Sequence, residues 1–166
     1  MNNEKASTGL EVVHIRLVKE RTLFSEEKIN TPDMAIQLMA EELSLYDREV
    51  MCVLNLQTDN RPINMNIVSM GTINATIVDA REVFKSSILS NAKSIMLLHN
   101  HPSGKVEPTK EDLMVTRKMQ AVGELLGIEV LDHIIIGGRT AEQYSFRSEG
   151  LLDENRYLEK VIAQRL

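Results

Sequence analysis

Two histidines separated by one residue are the feature of this sequence best suited to chemistry. His99 and His101 follow the apolar run 94–98, and Asp112 comes after a loop that contains proline and glycine. Side chains two positions apart in an extended chain point to the same side, so both imidazoles can be directed at one point. With one carboxylate, this donor set is typical of a catalytic zinc site, whose fourth position stays open. Zinc held in this way lowers the pKa of a coordinated water to about 7.

The same residues also have structural interpretations. A histidine pair with this spacing is a weak signal alone, because loop histidines are often simply hydrogen-bonded. Thr109 and Asp112 fit the capping box of a helix, a role compatible with metal binding because it orients the carboxylate. Ser103 has no base beside it in the sequence, which favours an ordinary loop serine. His133 lies in an apolar strand, which is more typical of a core histidine, or of one supporting a ligand, than of a ligand.

Alternating or continuous apolar runs predict the strands. Strands are expected at 12–19, 49–57, 63–69, 72–78, 94–99, 128–136 and 142–146. The second and third of these runs flank a turn-forming segment and therefore predict a β-hairpin. Glu49 stands at the leading edge of the second run. His14 lies in the first run, where a surface or half-buried strand histidine is the ordinary interpretation.

Helix signals alternate with these strands. Helices are expected to begin at Thr31-Pro32, at Asp79, at Thr109 and at about residue 153. This alternation predicts an α/β fold with a mixed β-sheet. We divide the chain into an N-terminal extension with one strand at 1–29, a main domain at 30–152 and a C-terminal helix at 153–166.

Composition and charge limit the classes of function. The chain has 166 residues, a formal net charge of −5 and one cysteine, Cys52. The acidic balance disfavours a protein that coats nucleic acid, although a local basic patch stays possible. One cysteine excludes an internal disulfide and a cysteine-rich zinc site, and it fits a cytoplasmic location. The sequence has neither an apolar run of membrane-spanning length nor an N-terminal secretory pattern, so no membrane association is expected.

The segment LLHNHPSG, followed by PTKED, resembles the JAMM motif of the MPN (JAB1) metalloprotease fold, most closely its RadC-like branch. Asn100 and Ser103 match that branch, and the similarity covers about residues 30–150. The resemblance implies a mixed β-sheet flanked by helices, with a cytidine-deaminase-like architecture. It also implies one zinc ion per chain, with His99, His101 and Asp112 as its ligands.

The resemblance assigns two further roles that spacing does not. The glutamate of the motif falls on Glu49, which would act first as general base and then as general acid. The serine of the motif, which helps to stabilise an oxyanion, falls on Thr109, where the hydroxyl is retained and a methyl is added. Glu41, Glu42 and Glu82 are other candidate carboxylates, and Glu82 also fits a helix cap.

Three functions fit these observations. The first is a zinc metallopeptidase or isopeptidase that acts on an unknown peptide or protein substrate. The second is a non-catalytic or DNA-repair-associated RadC-like binding module. Longer RadC-like proteins carry an N-terminal helix-hairpin-helix region, whereas a strand is expected here, so the DNA-repair role transfers poorly. The third is a zinc hydrolase for a small amide or a nucleic-acid lesion, which the motif does not separate from the first.

Overall fold

The computed structural model describes residues 12–23, 30–71, 78–138, 140 and 142–152. In chain order these form α1 (Pro32–Ser44), β1 (Val50–Leu56), β2 (Pro62–Met70), α2 (Ala80–Leu89), β3 (Ser94–His101), α3 (Lys110–Leu126), β4 (Glu129–Gly137) and β5 (Gln143–Ser145). The strands form a five-stranded sheet in the order β2-β1-β3-β4-β5. The predicted α/β fold with a mixed, helix-flanked sheet is therefore confirmed. Among the helices that the structure describes, none combines the length and apolar character needed to span a membrane.

The pairing of the strands places β3 in the centre of the sheet. β1 is antiparallel to both β2 and β3, so the predicted hairpin is confirmed. β3 and β4 are parallel, and α3 is the crossover that such a pairing requires. Every residue of β1 and β3 is buried, because helices cover both faces of the sheet, which explains the continuous apolar runs. The two histidines therefore lie at the end of a buried central strand.

Two apolar clusters cover the two faces of the sheet. On the first face α1 packs on β1, β3 and β4, through residues that include Ile36, Met39, Leu43, Leu54 and Leu98. On the second face α2 and α3 pack on the same strands, through residues that include Met51, Phe84, Ile95, Leu97 and Met119. Side chains alternate along a strand, so His99 and His101 continue the second face after Ile95 and Leu97. The first turn of α3 approaches this face.

Side-chain caps fix the starts of the helices. Thr31 Oγ1 accepts the N–H of Met34 at 3.3 Å, and a proline opens α1, as the sequence predicts. Asp79 caps α2 by accepting the N–H of Arg81 at 2.9 Å. The capping box predicted there is incomplete, because the Glu82 carboxylate instead accepts a hydrogen bond from Lys85 Nζ at 2.7 Å. The ion pair of Glu82 lies on the exposed side of α2.

The strand predicted at 12–19 is wrong. Residues 12–20 are exposed and have no strand conformation, and His14 lies among them. The apolar alternation is genuine, but a strand needs a neighbouring edge that takes up its backbone hydrogen bonds. Residues 17–23 instead line a groove beside β2. The predicted strand at 72–78, except for Val78, and the C-terminal helix lie outside the described residues.

Candidate metal centre

The three predicted ligand residues meet where β3 ends and α3 begins. His99 Nε2 lies 3.0 Å from His101 Nε2 and 3.2 Å from Asp112 Oδ1. Asp112 Oδ2 lies 3.6 Å from His101 Nε2. All three residues are buried, and one ligand atom from each lies within 4.8 Å of the others. The cluster could therefore hold a metal ion.

The spacing of these atoms fits a tetrahedral ion. Zinc–nitrogen and zinc–carboxylate bonds are about 2.0–2.2 Å long, so adjacent ligand atoms of a tetrahedral site stand about 3.3–3.5 Å apart. Two separations share one set of donor atoms, 3.0 Å between the two histidine Nε2 atoms and 3.2 Å from His99 Nε2 to Asp112 Oδ1, and both lie close to that range. Three protein ligands also leave a fourth position for water or substrate.

The electrostatics of the cluster favour a cation. Burial opposes ionisation of Asp112, but hydrogen bonds with His101 and His99 outweigh it, and the pKa of Asp112 lies below its usual value. A hydrogen bond with Asp112 raises the pKa of His101, although burial opposes this shift. The negative charge of Glu49 also raises the pKa of His101. A buried carboxylate beside two imidazole nitrogens therefore attracts a proton or a metal ion.

The ring of His101 is oriented by the loop that follows it. Its Nδ1 lies 2.7 Å from the carbonyl oxygen of Lys105. A carbonyl oxygen can only accept, so Nδ1 carries a proton and donates it. In the neutral ring Nε2 then has a free lone pair, which it turns toward His99 and Asp112. Donation from the outer nitrogen to a backbone carbonyl is common among metal-binding histidines.

The cap of α3 orients Asp112. Asp112 Oδ2 accepts the backbone N–H of Thr109 at 2.8 Å and its hydroxyl at 2.6 Å. In return, Thr109 Oγ1 accepts the N–H of Asp112 at 3.2 Å, so the predicted capping box is confirmed. The other carboxylate oxygen, Oδ1, faces His99. In this arrangement the Thr109 hydroxyl proton is directed at Asp112, so Thr109 orients a candidate ligand. The role of Thr109 in stabilising an oxyanion stays a prediction.

Glu49 lies beside the cluster. The register of β1 and β3 pairs Met51 with His99, so Glu49, two residues earlier, comes opposite His101. Glu49 precedes β1, and side-chain alternation continued by one residue would put it on the face of Met51, which belongs to the apolar cluster on the histidine side. Its side chain is half-buried. The expected nearness of Glu49 to the histidines, which rested on resemblance alone, therefore agrees with strand register and face.

Asn100 ties the two histidines to the backbone on either side of Glu49. Its Oδ1 accepts the N–H of Val50 at 2.7 Å, and its Nδ2 donates to the carbonyl oxygen of Arg48 at 3.0 Å. The sequence alone assigns Asn100 no role in the site. The available signal was its position at the end of a buried strand, because a buried carboxamide is costly unless it is hydrogen-bonded.

The other carboxylates considered from the sequence lie away from the cluster. Glu42 forms an ion pair with Arg21 beside α1, and Glu82 forms one with Lys85 on α2. Glu41 is exposed on α1. Ser103 is an exposed loop residue whose Oγ lies 3.4 Å from the N–H of Lys105, in keeping with a structural role.

His133 stands behind His99. Its Nε2 lies 2.7 Å from His99 Nδ1, and its ring stacks on Phe146. It contributes no atom to the candidate ligand set. Burial lowers the pKa of His133 well below its usual value, so the ring is neutral. This placement fits a histidine that supports a ligand.

Comparison with known proteins agrees with this geometry. Residues 29–151 match the family model described as the RadC-like JAB domain. The chain belongs to this family. It is 43% identical over 124 residues to a UPF0758 protein of Desulfitobacterium hafniense, with 75% of this chain and 54% of the relative covered. It is 38% identical over 151 residues to a UPF0758 protein of Methanosarcina mazei, with 89% and 65% covered. The chain thus spans between 54% and 65% of the length of these two relatives.

In this RadC-like JAB domain the loop after His101 is held against the end of β4. The N–H groups of Gly104 and Gly138 both donate to the His101 carbonyl oxygen, at 2.9 and 3.0 Å. A Cβ atom on Gly137 would stand 2.8 Å from the Gly104 carbonyl oxygen and 2.9 Å from Val106 Cγ1. Only glycine therefore allows β4 and the loop to approach this closely.

Replacing Gly137 with alanine is expected to weaken metal binding about tenfold, because the added methyl displaces the loop whose carbonyl orients His101. The overpacking should also lower the free energy of unfolding by about 1–3 kcal/mol. Zinc titration and thermal unfolding measure the two effects. Gly127→Ala is the control, because Gly127 has a φ of 69° at the C-cap of α3 and nothing within 4 Å of an added Cβ. That variant should lose stability and keep its metal affinity; an equal loss of affinity in both variants would contradict the prediction.

Proposed function

We propose that this domain is a zinc-dependent hydrolase of the metallopeptidase or isopeptidase type, acting on a peptide or protein substrate. His99, His101 and Asp112 are the proposed ligands. The observation that carries the proposal is the convergence of two imidazole nitrogens and a carboxylate, 3.0–3.6 Å apart, next to a half-buried glutamate. Nitrogen and oxygen donors in this number suit zinc.

Each residue has a distinct part in the proposed reaction. When bound, zinc supplies Lewis acidity, which polarises a scissile carbonyl and acidifies water. Glu49 takes a proton from the attacking water and returns it to the leaving amine. Asn100 holds the backbone groups on both sides of the half-buried Glu49, which supports this role. Thr109 keeps one oxygen of Asp112 in the helix cap, so the other oxygen would be available to hold the ion.

Metal content and hydrolysis of the purified protein test this proposal. We expect about one zinc ion per chain by elemental analysis. Either a quenched fluorescent peptide library or an isopeptide-linked protein dimer should be cleaved, and a zinc chelator should abolish cleavage until zinc is restored. Full zinc content without cleavage of either probe would favour a binding module that uses the same fold. A chain that takes up no zinc would contradict the ligand assignment itself.

A further inference from the structure

A line of buried polar groups runs from His99 through β4 to α3. His99 Nδ1 lies 2.7 Å from His133 Nε2, and His133 Nδ1 lies 2.6 Å from Thr116 Oγ1. Thr116 Oγ1 lies 2.6 Å from the backbone carbonyl oxygen of Asp112, one helical turn earlier. All of these residues are buried. The line therefore starts at one candidate ligand and ends on the backbone of another.

The backbone carbonyl of Asp112 sets the direction of the hydrogen bonds along this line. A carbonyl oxygen only accepts, so the hydroxyl of Thr116 donates its proton to Asp112. A threonine hydroxyl has only one proton to give. At 2.6 Å, Thr116 Oγ1 must therefore accept from His133, which places a proton on His133 Nδ1.

The tautomer of His133 then determines that of His99. His133 is fully buried, where an imidazolium is strongly disfavoured, so its second nitrogen is unprotonated. Because His133 Nε2 can only accept, His99 Nδ1 must donate across the 2.7 Å contact. The proton of neutral His99 thus resides on Nδ1, and its Nε2 lone pair faces His101 and Asp112.

We propose that His133 and Thr116 are positioning residues, which fix the tautomer of His99 so that its Nε2 is presented as a metal ligand. The inference rests on the proposed metal site but not on hydrolysis. The two histidine ligands acquire the same tautomer by different means. His101 donates directly to the loop carbonyl of Lys105, whereas His99 donates through two intervening side chains.

The replacement Thr116→Val tests the relay, meaning the hydrogen bonds from His99 through His133 to Thr116, with little change in side-chain volume. It leaves the Nδ1–H of His133 without its acceptor inside the core, so the His133 proton is expected to move to Nε2. The new Nε2–H group of His133 would face the Nδ1–H of His99. The proton of His99 would then move from Nδ1 to Nε2, which is the proposed ligand atom. We therefore expect Thr116→Val to weaken zinc affinity about 10–100-fold, the range typical of groups that support metal ligands. Thr116→Ser, which keeps the hydroxyl, should bind zinc within a few-fold of the parent protein.

Nitrogen-15 NMR of the imidazole rings gives a readout that does not depend on turnover. In the metal-free parent protein at mildly alkaline pH we expect His99 and His133 to be protonated at Nδ1. In Thr116→Val the His99 signals should shift toward the Nε2–H form, and Thr116→Ser should retain the parent pattern. Thermal unfolding of both variants checks that each is folded.

Two results would overturn the inference. One is a parent protein in which His99 carries its proton on Nε2. The other is a folded Thr116→Val variant with parental zinc affinity and parental tautomers. Because neither measurement requires a substrate, failure to detect hydrolysis would affect the proposed function and leave the tautomer assignment standing.

Discussion

Replacing Glu49 with glutamine is expected to lower kcat for peptide or isopeptide cleavage by about 10²–10⁴-fold, the usual contribution of a general base. Glutamine has almost the same shape as glutamate but cannot take a proton from water. Glu49 is not among the candidate metal ligands, so zinc content should stay at the parental value. Steady-state kinetics combined with elemental analysis of the same preparation measures both quantities.

Glu41→Gln is the matched control for this experiment. Glu41 is exposed on α1, away from the cluster. Its replacement by glutamine removes the same charge as Glu49→Gln. It should retain parental kinetics. A Glu49→Gln variant that kept parental kcat, or that lost zinc along with activity, would remove Glu49 from the role of proton shuttle.

Replacing Asp112 with alanine is expected to abolish stable zinc binding. Structural zinc sites, which have four protein ligands, bind with about 10–16 kcal/mol, so one ligand accounts for about 3 kcal/mol. That amount corresponds to about a hundredfold loss of affinity, since about 1.4 kcal/mol is a factor of ten. Competition with a zinc-sensitive dye measures the dissociation constant.

The same substitution removes part of a helix cap, and this effect needs its own measurement. Asp112 Oδ2 accepts two hydrogen bonds from Thr109, so the metal-free variant should lose about 1 kcal/mol of unfolding free energy. Glu111→Ala is the control, because Glu111 is exposed in the same first turn of α3. Its zinc affinity should be parental. A full zinc complement in Asp112→Ala would contradict the ligand set.

Local signals predicted the candidate ligands well. The alternation of side chains along a strand gave the shared face of His99 and His101, and a capping pattern gave the placement of Asp112. Both signals depend on residues close together in the chain, where backbone geometry fixes the relation between side chains. The start of α1 at Thr31 was predictable for the same reason.

Contacts between distant segments were not predictable in this way. The nearness of Glu49 to the histidines depends on the register of β1 against β3. From the sequence, that nearness was implied only by a family resemblance. The hydrogen bond between Thr116 and His133 joins a helix to a strand, and no periodicity indicates it. The expected strand at 12–19 failed for a related reason, since its alternation carried no information about a partner edge.

The parallel pairing of β3 with β4 across α3 has a consequence for how the site could diverge. Both candidate histidine ligands, Asp112 and the His133–Thr116 relay all belong to this one β-α-β unit. Glu49 comes from outside it, at the start of the antiparallel neighbour β1. The candidate metal site and the proposed proton shuttle are therefore encoded in separate segments of the chain. A sequence change confined to the approach to β1 could convert a catalyst into a metal-binding scaffold and leave the β-α-β unit intact.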